Sequence, residues 1–195
     1  MARAGETFER VEPLDLRAWR AWLMAHHGQS ESVWLVYYKK AAGGLFGYGE
    51  IVDQALCFGW IDSLPRKLDE RRSMLLISPR KPGSSWSKVN KVKVERLIRE
   101  GLMAARGLAA VAAAKADGSW ERLNAADALE VPDDLALALS SHLDAARNWA
   151  AFPASARRGI LEWILNAKTA ATRAKRVAET AGLAAQNKRA NQWPR

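Results

Sequence analysis

All the strand-like segments of this 195-residue chain fall in one window, and everything beyond that window has helical spacing. Val33-Trp34-Leu35-Val36-Tyr37-Tyr38 is short, β-branched and aromatic, which predicts a largely buried strand over 33–40. Two more strands are predicted near 63–69 and 73–78, joined by the charged turn Asp69-Glu70-Arg71-Arg72, and Pro79 with Pro82-Gly83 closes the window. A helix entered at the N-cap candidate Asp15 keeps Leu16, Trp19 and Leu23 on one face and stops at Gly28. A second helix is predicted over about 50–60 from the spacing of Ile51, Val52, Ala55, Leu56 and Phe58. A third follows over about 86–101, capped by Ser84 or Ser85. Helical segments then run over 104–116, 132–140, 142–150, 155–167 and 169–185, while residues past Gln186 carry no period and are expected to fray. This order implies an α+β unit with a small antiparallel sheet and flanking helices at 1–120, an all-helical region at 121–185 and a frayed tail at 186–195.

Composition excludes several classes. Hydrophobic residues make up 49% and charged residues 26%, which rules out a wholly disordered chain. Cys57 is the single cysteine, so neither an intrachain disulfide nor a zinc site built on several thiolates is possible. No apolar run approaches the ~18 residues of a membrane span, and the Arg- and Glu-studded N-terminus lacks the apolar core of a secretory signal. The expected setting is the cytoplasm, without membrane insertion. The net charge of +9 is segregated: residues 63–99 hold 11 basic against 3 acidic residues and 157–195 hold 9 against 2, whereas 1–62 hold 6 against 8 and 100–156 hold 4 against 8. Such alternation can steer an anionic partner, supply an ordinary solvated surface, or let basic blocks dock on acidic segments of the same chain or of a second copy.

Few motifs carry chemistry. Gly43-Gly44-Leu45-Phe46-Gly47-Tyr48-Gly49 sits where phosphate loops sit, but it lacks the Lys-Ser/Thr of a Walker A loop and the G-x-G-x-x-G spacing, and Glu50 would repel a phosphate. Cys57, between Leu56 and Phe58 with no histidine near in sequence, reads as a small buried hydrophobe. Adjacent His26 and His27 lack metal-ligand spacing, so no metal and no cofactor is expected. Asp62 can orient a ligand, cap, or pair with Arg66, Lys67 or Arg80.

The densest signal is Ser78-Pro79-Arg80-Lys81-Pro82-Gly83-Ser84-Ser85-Trp86-Ser87-Lys88-Val89-Asn90-Lys91, where cations, hydroxyls and a tryptophan interleave at a helix start. As an anion site, Arg80, Lys81, Lys88 and Lys91 would contact the charge, Ser84 and Ser87 would add hydroxyl bonds, and Trp86 would stack on a base. Lys39, Lys40 and Lys67 would extend the patch across the sheet. The same stretch also reads as a self-paired helix face, with Lys91–Glu95, Glu95–Arg99 and Arg96–Glu100 at i, i+4 and Trp86 in the core. In the second basic block, Arg173 and Arg176 lie three apart and can present one basic edge. Of the nine tryptophans most are core by spacing, and Trp193 is expected to be exposed.

The string Ala55-Leu56-Cys57-Phe58-Gly59-Trp60-Ile61-Asp62-Ser63 carries a family resemblance, together with Tyr38-Lys39-Lys40, Ser78-Pro79-Arg80-Lys81 and Trp86-Ser87-Lys88-Val89-Asn90. Glu162-Trp163-Ile164, Ala167-Lys168 and Thr172-Arg173 continue it. Over about 8–185 the chain resembles the YdeI/OmpD-associated, bacteriocin-protection family of the YjbR/CyaY-like superfamily. That resemblance implies a frataxin-like α–β–α unit, a link to an outer-membrane porin by family name, and a role in resisting cationic antimicrobial peptides. It supplies no catalytic residue. Frataxin-type iron binding on an acidic helical ridge is not supported, because Glu6, Glu9 and Glu12 precede Pro13 and alternate with Arg3 and Arg10. The DNA binding suggested for YjbR-like relatives is compatible with the basic blocks.

Two functions are therefore expected. The first is a non-catalytic, stress- or antimicrobial-resistance-associated protein whose basic surface binds nucleic acid or an acidic protein. The second is a small-molecule-binding protein or enzyme with an aromatic cleft between sheet and helical region, lined by Trp34, Tyr38, Trp60, Asp62 and Arg80.

Overall fold

The computed structural model describes residues 8–192. The chain divides into two compact units, the first ending at Glu121 and the second beginning at Arg122. The first is mixed α+β and the second is helical.

In the first unit a two-residue strand, β1 (Arg10–Val11), precedes α1 (Leu16–His26), whose N-cap Asp15 accepts the Ala18 N–H at 2.7 Å. β2 (Val33–Tyr38) follows, then a short 3-10 turn and α2 (Tyr48–Cys57), where the Glu50 carboxylate accepts the Gly47 N–H at 2.9 Å. β3 (Trp60–Lys67) and β4 (Arg72–Pro79) form the hairpin, and α3 (Lys88–Arg99) and α4 (Ala105–Ala116) complete the unit. The sheet order is β1-β2-β4-β3. The expected all-antiparallel sheet is corrected here: β1 pairs parallel with β2, because α1 carries the chain back over the sheet between them. A two-residue strand shows no alternation, which is why sequence spacing missed it.

Period-2 patterning assigns the two faces of the sheet. Val33 pairs with Ile77 and Leu35 with Leu75, and these four join Trp19, Leu23, Ile51, Leu56, Trp60, Trp86 and Val94 in the main core against the helices. Trp34 pairs with Leu76 and Val36 with Met74 on the opposite face. Helix α2 ends three residues before its predicted limit although apolar spacing continues through Phe58. Gly59 adopts φ +76°, a left-handed conformation that stops the helix and lets Trp60 open β3. Helix α3 starts at Lys88 because Ser87, not Ser84 or Ser85, caps it, accepting the Asn90 N–H at 3.3 Å.

The second unit comprises α5 (Asn124–Asp127), α6 (Asp133–Ser140), α7 (Ala145–Ala151), α8 (Ala154–Leu165) and α9 (Ala170–Ala185). Its core holds Leu135, Leu139, Trp149, Ile160, Ile164 and Ala181. Beyond Gln186, Ala190 is 1% exposed and packs into this core. Trp193 lies outside the described residues. No described helix is long and apolar enough to cross a membrane.

Candidate functional site

The signal-dense stretch folds into a corner between β4, α3 and the end of α4. Arg80 leaves β4 by donating its N–H to the Gly59 carbonyl at 2.9 Å, and a turn follows in which Gly83 adopts φ +70° and the Ser84 N–H and Oγ both donate to the Lys81 carbonyl. The Arg80 guanidinium lies 3.6 Å from the centre of the Trp86 ring and donates to the Ser85 carbonyl at 2.7 Å. Trp86 packs at 5.0 Å on Trp120, which Lys91 and Lys115 approach at 5.7 and 5.3 Å. Cations from the turn after β4, from α3 and from α4 thus clamp a pair of tryptophans.

Beside this clamp is a cavity of about 90 Å³. Arg80 and Lys81 form one wall, the Ala110, Ala113 and Ala114 side chains of α4 another, and Asp117 and Ser119 the end. The Asp117 carboxylate accepts the Gly83 N–H at 3.1 Å and the Ser119 N–H at 2.8 Å, tying the turn to the α4 terminus. Two buried polar atoms here have no hydrogen-bond partner, Arg80 Nε and Ser119 Oγ, and Ser119 is 0% exposed. Among the described residues no carboxylate lies within ion-pair distance of Arg80. Burial pushes its pKa down to about 10, opposed by the charge of Asp62. The side chain therefore still carries its charge at neutral pH.

The other anion-site candidates divide sharply. Trp86 is 1% exposed, so it cannot stack on a base; its ring is core. Ser87 is spent on the cap and Ser84 on the turn. Lys39 donates to the carbonyls of Asp69 and Glu70, Lys67 pairs with Glu70, and Lys91 lies 3.9 Å from Glu121. Lys40 is exposed in the 3-10 turn. Lys39 and Lys67 also sit at the turn end of the hairpin, roughly 20 Å or more along β4 from Arg80 at ~3.3 Å per residue, so they do not extend its patch. Lys81 and Lys88 are the exposed cations that remain at the corner. In the second block Arg173 forms a bidentate pair with Asp134, and Arg176 donates to the Trp163 carbonyl while covering the Trp163 ring, so they present no free basic edge.

The aromatic cleft is not assembled. Trp60 is fully buried on the helix side of the sheet and Trp34 on the other, while Tyr38 is half-exposed beside Arg71. Asp62 instead accepts the Tyr48 hydroxyl at 2.7 Å, and burial, reinforced by this bond, pushes the Tyr48 pKa to about 12. Cys57 is buried, and burial raises its thiol pKa. Among the described residues no cluster of His, Cys, Asp or Glu could hold a metal. Sequence reasoning missed Asp117 and Ser119.

Fold and site together define a two-unit α+β protein with a small, cation-walled pocket in its sheet unit. The chain belongs to the family described as "Domain of unknown function (DUF8412)", whose model matches residues 11–110, just over half the chain. Residues 128–187 match the family described as "Bacteriocin-protection, YdeI or OmpD-Associated". That match lies within the helical unit, so it covers a smaller part of the chain than the 8–185 read from motifs. No curated protein and no solved structure matches the chain.

Proposed function

We propose that the protein is a non-catalytic binding protein that takes an anionic partner at the Arg80 corner. One observation carries the reading: a largely buried guanidinium, held on Trp86 and Ser85, has an unpaired Nε and no carboxylate within ion-pair distance. Withdrawing a cation from water is costly, and an arriving anion would recover that cost. Exposed Lys81 and Lys88 flank the corner and would supply attraction over longer range. A nucleic acid or acidic protein would engage these three cations, not a patch spread across the sheet. The bacteriocin-protection name of the family matched at 128–187 supports a place in stress or antimicrobial resistance. The frataxin/CyaY-like reading of the first unit has the stretch α1–β2–α2–β3–β4–α3 in its support, which β1 precedes and α4 follows.

The test is calorimetric titration at low salt with duplex DNA, an acidic peptide and inorganic phosphate. Binding of at least one that weakens as salt rises, and falls tenfold or more in Arg80→Gln, is the expected result. An Arg80→Gln protein that folds and binds as wild type does, or a wild type that binds no anion, overturns the reading.

A further inference from the structure

Resting on that reading, we infer that the pocket beside Arg80 receives a carboxylate attached to a short aliphatic group. Size comes first. A cavity of about 90 Å³ has room for several waters or for a small acid.

Chemistry comes second. Arg80 Nε–H and the Ser119 hydroxyl are both buried, both belong to residues lining the cavity, and neither has a partner. A buried donor left unsatisfied costs free energy, and native interiors leave few of them, so two at one small cavity mark an acceptor that is supplied from outside. A carboxylate offers two oxygens, one for each donor, with the guanidinium providing a charge-assisted bond.

Charge selects among anions. The lining carries two cations, Arg80 and Lys81, against the Asp117 carboxylate. A monoanion suits that balance, whereas a phosphate dianion would be set against Asp117, whose oxygens already accept from Gly83 and Ser119. The wall of Ala110, Ala113 and Ala114 offers methyl groups and no donors, which matches a short aliphatic portion. This carboxylate can come from a free short-chain acid or from the C-terminus of a peptide.

The experiment titrates the full chain by nuclear magnetic resonance with propionate, with an Ala-Ala dipeptide, with its C-terminal amide and with inorganic phosphate. Saturable shifts at Ser119 and the Arg80 Nε–H with propionate identify a free acid. Shifts with the dipeptide but with neither its amide nor propionate identify a chain terminus. Ser119→Ala is expected to unfold at the same or a higher denaturant concentration than wild type, because it deletes an unsatisfied hydroxyl, and to bind tenfold or more weakly. Binding of phosphate, duplex DNA or the acidic peptide with neither carboxylate overturns this inference and leaves the anion reading standing; binding of none of these anions overturns both. Unchanged carboxylate affinity in Ser119→Ala also overturns it.

Discussion

Arg80 and Trp86 show how one side chain's neighbours decide its meaning. In sequence they stand six residues apart among hydroxyls and cations, a pattern that suits a surface reading nucleic acid. In the folded chain the indole is sealed against Trp120 and serves as the platform on which the guanidinium rests. Truncating Trp86 to Ala removes that platform and opens a large void, so urea denaturation is expected to show a loss of about 3–5 kcal/mol. A loss under about 1 kcal/mol would place the ring at the surface. The cationic half of this site was legible, since Arg80, Lys81 and the Pro82-Gly83 turn announce themselves. Its other half was not: Asp117 and Ser119 arrive from the far end of α4, and no local spacing links residues more than thirty positions apart.

Between elements, ion pairs fix which helix meets which. Asp53 on α2 receives both Lys93 and Arg96 from α3, and Arg158 on α8 holds Asp127 and Glu162. Asp134 at the start of α6 meets Arg173 on α9, and the hydrogen bonds from Arg173 hold the Asp134 carboxyl below its ordinary value of 3.8. A carboxyl whose folded pKa is depressed stabilises the fold fully above its unfolded pKa, and that contribution is lost as pH falls through the folded value. Asp134→Asn is therefore expected to be less stable than wild type at neutral pH, by no more than ~1 kcal/mol for a pair this exposed. The difference should shrink as pH falls below the ordinary carboxyl value; a gap that persists undiminished in acid would assign it to packing. Elements with a cap and several turns were readable, as Asp15 before α1 and Thr169 before α9 show. The end of α2 was not, because a single glycine torsion outweighs an uninterrupted apolar spacing, and neither was α5, whose four residues hold barely one turn.

Across the molecule the charge alternation resolves within each unit. The basic stretch 63–99 finds Glu12, Asp53 and Glu121, and the basic C-terminal stretch finds Asp127 and Asp134. The segregation itself was plain from the sequence, but which acid answers which base depends on tertiary pairing that no periodicity encodes. Arg80 is among the described basic residues that no carboxylate answers. The packing of the first unit has one more consequence. Gly107 of α4 lies so close to α2 that a Cβ there would sit 2.2 Å from the Cys57 carbonyl oxygen, and Cys57 is 0% exposed. A lone thiol sealed this way is a built-in clock. Its alkylation under native conditions should proceed only as fast as the surrounding packing opens, and Gly107→Ala, which forces the α2 and α4 backbones apart at the Cys57 carbonyl, should make it tick at least tenfold faster.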